Sequence, residues 1–205
     1  MAQKIFTSTD WEKRAGRYWT TFFNTVSGPR SAVVIGTEDE RKTGNLGLFN
    51  SLVHIGANPP LLGFILRPTT VARHTYDNIK SNGSYSINQL HPTIIDQAHQ
   101  TSAKYDASSD EFTEVGLTKE YLNDFRAPFV QESELKLGLK FKEEHLIETN
   151  GTRLIIGEVV IVSVPEQILE SDGFINTAKI QSVLASGLDA YHNHELIGRK
   201  AYAKP

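Results

Sequence analysis

The stretch NLGLFNSLVHIGANPPLLGFILRP, Asn45 to Pro68, decides how the chain is read. Apolar residues dominate it, and Asn58-Pro59-Pro60 interrupts it. Prolines cannot donate to a strand ladder, so the spacing predicts two strands, 45–56 and 61–67, joined by a turn. Asn50, Ser51 and His54 break the apolar run of the first strand. A buried amide, hydroxyl or imidazole needs a hydrogen-bond partner, so their presence raises the question of what lies beside that strand.

Working outward, RSAVVIGT (30–37) reads as a buried strand and EDERKTG (38–44) as a charged turn. Beyond Pro68, the positions of Val71, Tyr76 and Ile79 and the closing Gly83 predict a short helix, with Thr75 placed to cap it. SYSINQL (84–90) alternates as a strand, and Pro92 opens a helical segment running to residue 105. Residues 106–125 are polar with little regular signal beyond a helical turn in EFTEVGLTKEYL. The second half is β: Leu135, Leu137, Leu139 and Phe141 alternate with Glu134, Lys136, Gly138 and Lys140, Asn150-Gly151 marks a hairpin turn, and 153–165 returns as a long strand. Residues 1–27 form an aromatic extension with one short helix, and residues 166–205 a turn-rich one. The chain is thus expected to be a single domain over 1–205, mainly β with short helices. An antiparallel barrel fits, and a sandwich fits the periodicity almost as well.

Composition narrows the function. In 205 residues, 39% hydrophobic and 22% charged, a globular core is expected. A net charge of -3 offers no basic excess for a nucleic-acid surface. No cysteine is present, which removes disulfides, thiolate catalysis and Cys-ligated metals. The N-terminus lacks the apolar core of a secretory signal, and no run of about 18 apolar residues occurs, so a cytoplasmic protein with no membrane partner is expected.

Arg67, Arg73, His74 and Thr75 gather cations and a hydroxyl at the entrance of the predicted helix. A helix N-terminus presents unpaired N–H groups and a positive dipole end, and arginine adds charge-assisted bonds to phosphate oxygens. The plainer alternative is a capping threonine beside solvated arginines. Asn45, Asn50, Ser51 and Asn88 are neutral donors and acceptors on predicted strands. A planar heterocycle would satisfy them, as would backbone or water. Among seven histidines, His192-Asn193-His194 is a weak metal pattern, and no HExxH, GxSxG, GxGxxG or GxxxxGK[ST] occurs.

Taken in order, GNLGLFNSLVHIGANPPLLGFILRP, ARHTYDNIKSNGSYSINQL, HQTSAKYDASSDEFTEVGLT, APFVQES and GEVV resemble the flavin reductase-like, FMN-binding split β-barrel family over residues 28–165. The resemblance implies an antiparallel split barrel, a homodimer, and FMN near the subunit interface. It implies flavin contacts at Asn50, Ser51 and Leu52, a phosphate site at Arg73-His74-Thr75 helped by Arg67, a role for Asn88, and an approach to the cofactor by His99, Thr101 and Ser102. The residue before the threonine is often acidic in that family, and here it is His74. The function implied is an oxidoreductase passing electrons from NADH or NADPH through FMN to a further acceptor, with no catalytic side chain of its own. An FMN-binding electron carrier without nicotinamide reductase activity, served by a protein partner, is the alternative. A relative of the pyridoxamine phosphate oxidases is a more remote one.

Overall fold

The structure, a computed structural model, describes residues 2–13 and 16–204. Two helices lead the chain, α1 (Ser8–Glu12) and α2 (Arg17–Thr25), where the sequence predicted one; Gly16 is the N-cap of the second. Then follow β1 (Arg30–Ser31), β2 (Val33–Glu38), β3 (Gly44–Phe49), β4 (Val53–Ala57), β5 (Pro60–Leu66), α3 (His74–Asn82), β6 (Ser84–Gln89), α4 (Ile95–Gln100) and α5 (Glu111–Val115). The remaining strands are β7 (Lys119–Glu120), β8 (Phe129–Val130), β9 (Lys136–Ile147), β10 (Thr152–Ser163), β11 (Leu184–Ser186) and β12 (Ala190–His192).

Seven strands form one antiparallel sheet in the order β3-β2-β6-β9-β10-β5-β4. The predicted strand 45–56 is therefore two strands, and they lie at opposite edges of the sheet. A flat sheet of this size would hold its outer strands about 29 Å apart, at about 4.8 Å per spacing. The four Cα steps from Phe49 to Val53 reach at most about 14 Å. The sheet must curl until its edges approach, and the fold is a split barrel. Phe49 at the end of β3 meets Phe64 of β5 edge-on, with ring centroids 4.9 Å apart.

The polar residues of the opening stretch make this corner. Ser51 Oγ donates to Ile65 O and accepts from Ile65 N, both at 3.1 Å, so one side chain takes the place of a ladder rung. Asn50 Nδ2 donates to Gly187 O at 2.8 Å, and Arg30 Nε donates to Asn50 O at 2.8 Å. His54 is exposed on β4. Alternation could not reveal the corner, because a strand that stops and one that switches edges leave the same apolar pattern.

β2 is buried along its whole length. Val33 and Ile35 point into the lumen with Phe64, Tyr85, Ile87 and Leu139. Ala32 and Val34 point outward, under Ala98 of α4, Phe112 of α5 and the returning Val183. The C-terminal extension is part of this layer: β11 pairs with β1, Arg30 opposite Ala185, and Ile168 and Ile180 cover Leu135. Leu135 therefore leaves the lumen row in which Leu139 is buried. Helix α3 plugs the lumen with Ile79, whose burial contributes about 1.5–3 kcal/mol. Gly83, at φ 66°, ends α3 in the left-handed conformation that favours glycine.

Candidate functional site

Placing Ile79 in the lumen also places Thr75, one turn earlier on the same face of α3. Thr75 is buried and faces β3. The helix begins at His74, with Arg73 as N-cap, so Thr75 is its second residue and not the predicted cap. Among the described residues no side chain caps α3. Its first-turn N–H groups thus lack the usual partner and carry the positive end of the helix dipole. Arg73 is half-buried, its Nε 3.4 Å from Pro68 O. Arg67 is exposed at the end of β5. Across from Thr75 stands Gly47: a Cβ there would lie 3.2 Å from Thr75 Oγ1 and 2.8 Å from the Phe49 ring. The absent side chain lets the Thr75 hydroxyl and the Phe49 ring close onto the strand at this point.

A cleft of about 200 Å³ borders this point, lined by Asp39, Asn45, His74, Asp77 and Glu111 among others. Asn45, Thr37, Thr75 and Glu111 form a buried polar cluster at its base. The edge of β3 is bonded by α5: Gly44 N donates to Asp110 Oδ2 at 2.9 Å and Leu46 N to Glu111 Oε2 at 3.0 Å. Burial pushes the Glu111 carboxyl up to about 7, against the Leu46 N–H that lowers it, and the neighbouring Asp110 charge raises it further.

The other residues named from the sequence fall in three places. Asn50, Ser51 and the half-buried Leu52 make the barrel corner. His99, Thr101 and Ser102 end α4: His99 Nδ1 lies 2.7 Å from Tyr191 Oη, Thr101 Oγ1 donates to Ala98 O at 2.7 Å, and Ser102 N donates to His99 O at 3.0 Å. Asn88 is fully enclosed. Its Nδ2 donates to Val34 O at 3.0 Å and Ser86 Oγ at 2.9 Å, and its Oδ1 accepts from Val130 N at 2.9 Å. Asn88→Ala is expected to cost about 3 kcal/mol by stranding these groups, read as a lower denaturant midpoint. An unchanged midpoint would contradict that role. Glu111 was missed by sequence reasoning, although Asp110 before an apolar turn closed by Gly116 is a helix signal, and Asp110 does cap α5.

The fold is thus an antiparallel split barrel, with an uncapped helix start packed on β3 at Gly47. Residues 26–181 match the family model described as flavin reductase like domain, and the chain belongs to that family. A solved structure from Shewanella frigidimarina NCIMB 400, assigned as a flavin reductase with a split barrel domain, is 44% identical with a TM-score of 0.93, covering 98% of this chain and 100% of that one. The flavoredoxin of Desulfovibrio vulgaris (Miyazaki F) is 25% identical with a TM-score of 0.72, covering 85% of this chain and 92% of that one. Nitrilotriacetate monooxygenase component B from Bacillus cereus shares the fold, at 16% identity and a TM-score of 0.81, over 99% of this chain and 100% of that one. No curated protein matches.

Proposed function

We propose that the protein is an FMN-dependent oxidoreductase of the flavin reductase type, using NADH or NADPH as electron donor. The observation that carries this reading is the uncapped start of α3, with Arg73 at its N-cap position and Thr75 in its first turn. In it, the α3 N–H groups, Thr75 and Arg73 hold the phosphate, Arg67 reaches in from solvent, and His74 flanks it. Gly47 and Asn50 are three residues apart, about 10 Å of extended chain, so the corner at Asn50–Leu52 borders the ring end. The Asn50 and Ser51 side chains are engaged with Gly187 and Ile65, which leaves backbone groups to meet the ring. Asn88 supports the strands behind the site, and His99, Thr101 and Ser102 border it from α4. Bound FMN supplies the chemistry, accepting a hydride from the nicotinamide and passing electrons to an acceptor.

The likeness to a flavoredoxin favours a second reading, an FMN-binding electron carrier with a protein acceptor. Both readings include a homodimer. Helix α2 supplies an apolar face for it, since Tyr18, Phe23 and Val26 are exposed beside the edge-to-face rings of Phe6, Trp11, Trp19 and Phe22. Among the described residues no helix is long and apolar enough to cross a membrane, and the reading places the protein in the cytoplasm.

The test is the absorbance spectrum of the FMN-loaded protein under anaerobic NADH and NADPH. Bleaching of the flavin bands by either donor is the expected result. Flavin bands that neither donor bleaches would transfer the conclusion to the electron carrier, and failure to take up FMN would overturn both.

A further inference from the structure

We propose that Glu111 is a positioning residue for the anion site: through the Asn45 amide, its protonation state sets whether the Thr75 hydroxyl is free to donate to a ligand at the start of α3. This rests on the reading that Thr75 holds the FMN phosphate. The Asn45 amide lies between two sets of partners. On one side is Glu111 Oε1 at 3.2 Å, and on the other are Thr37 Oγ1 at 3.1 Å and Thr75 Oγ1 at 2.9 Å. All four residues are less than a tenth exposed, so water does not readily substitute for any of them.

Two arrangements satisfy the cluster, and the Glu111 proton chooses between them. With Glu111 ionised, its oxygen can only accept, so the Asn45 nitrogen turns to it. The Asn45 oxygen then accepts from both threonine hydroxyls, and the Thr75 proton points away from the ligand. With Glu111 protonated, the acid donates to the Asn45 oxygen, and the Asn45 nitrogen donates to both threonine oxygens. The Thr75 hydroxyl then only accepts from Asn45, and its proton is free to turn to a ligand at the start of α3. In both states Glu111 Oε2 keeps the Leu46 N–H, so the β3 edge stays in place while the amide turns.

Other charges surround the relay. Asp39 from the β2–β3 turn and His74 and Asp77 from α3 line the same cleft. Asp110 precedes Glu111 and is paired with Lys119 of β7. The upward shift of the Glu111 carboxyl toward about 7 puts the exchange within a range that ligand binding can sample. Any of these charges could give FMN affinity a pH dependence by attraction or repulsion alone. A relay differs from that in needing the Thr75 hydroxyl.

The experiment measures FMN and riboflavin binding by fluorescence quenching at pH 6 and pH 8.5. It compares the unmodified protein, Glu111→Gln, Thr75→Val and the double variant. The amide introduced by Glu111→Gln imitates the protonated acid, donating to Asn45 and accepting from Leu46. Glu111→Gln is expected to match the unmodified protein for FMN at pH 6 and to bind FMN about tenfold more tightly at pH 8.5, the worth of one hydrogen bond to a charged group. The phosphate's own titration is common to both proteins and cancels. In the Thr75→Val background, Glu111→Gln is expected to change nothing at either pH. Riboflavin binding, retained throughout, reports that each variant is folded, and Thr75→Ala replaces Thr75→Val if the latter is not. An equal pH 8.5 gain in the Thr75→Val background would overturn the relay in favour of charge repulsion, as would no gain in Glu111→Gln alone. An unmodified protein that binds FMN no more tightly than riboflavin at either pH would overturn the phosphate site itself, and the relay with it.

Discussion

Replacing Arg73 and Thr75 together by Ala is expected to weaken FMN binding on the order of a hundredfold, while riboflavin binding changes by no more than about threefold. Only FMN carries the phosphate, and each hydrogen bond to a charged group contributes about 1.5–3 kcal/mol. The half-buried Arg73 needs little further desolvation to meet an anion, and Thr75 is held by Asn45 from behind. The main-chain N–H groups of α3 survive both substitutions, so some preference for FMN should remain. Titration of each ligand by quenching of its fluorescence reads the effect. Equal losses for FMN and riboflavin would place the phosphate elsewhere on the barrel.

A large stability effect is expected at Gly157, inside the barrel. A Cβ there would overlap Tyr85 Oη and lie 2.9 Å from Cζ, with Tyr85 fully buried. Neither partner has room to yield, since Tyr85 packs edge-on against Phe64 with ring centroids 5.8 Å apart, and Gly157 lies on the central β10, paired on both sides. Overpacking of this kind costs about 1–3 kcal/mol, which for a chain of this size lowers the thermal midpoint by about 3–10 °C. Gly157→Ala should therefore melt lower, and adding Tyr85→Phe, which removes the buried hydroxyl, should restore part of the loss. An unchanged midpoint in Gly157→Ala would mean that the lumen is looser than the packing of Tyr85 indicates. The bulge between Ile156 and Gly157 places that glycine against the tyrosine. A sequence reading of residues 153–165 as a plain strand has no means of locating it.

These two positions differ in how visible they are in the sequence. The helix around Thr75 is legible because Ile79 and the closing Gly83 are local features, and both hold in the structure, whereas Val71 lies exposed ahead of the helix. The cap is not, because Arg73 and Thr75 are both polar and only the backbone turn decides where the helix begins. Asn88 stood out as a polar residue in an apolar strand, and its role in joining Val34, Ser86 and Val130 is visible only once those strands are side by side. Glu111 lay in a region with weak periodicity, and its importance comes from Asn45 and Leu46, some 65 positions earlier.

The sequence by itself determined most strands of the main sheet, the Asn58-Pro59 and Asn150-Gly151 turns, the helix closed by Gly83 and the family likeness, while the helix read from Pro92 to residue 105 ends at Gln100. Each of these is written in neighbouring residues, through period, turn chemistry or motif order. The tertiary structure decided that β3 and β4, three residues apart, lie at opposite edges of one sheet, so that Asn50 and Ser51 close a barrel. It also decided that Glu111, Asn45 and Thr75 share one buried cluster. Edge pairing and side-chain partnership depend on how strands distant along the chain come to lie side by side, and no local period records that.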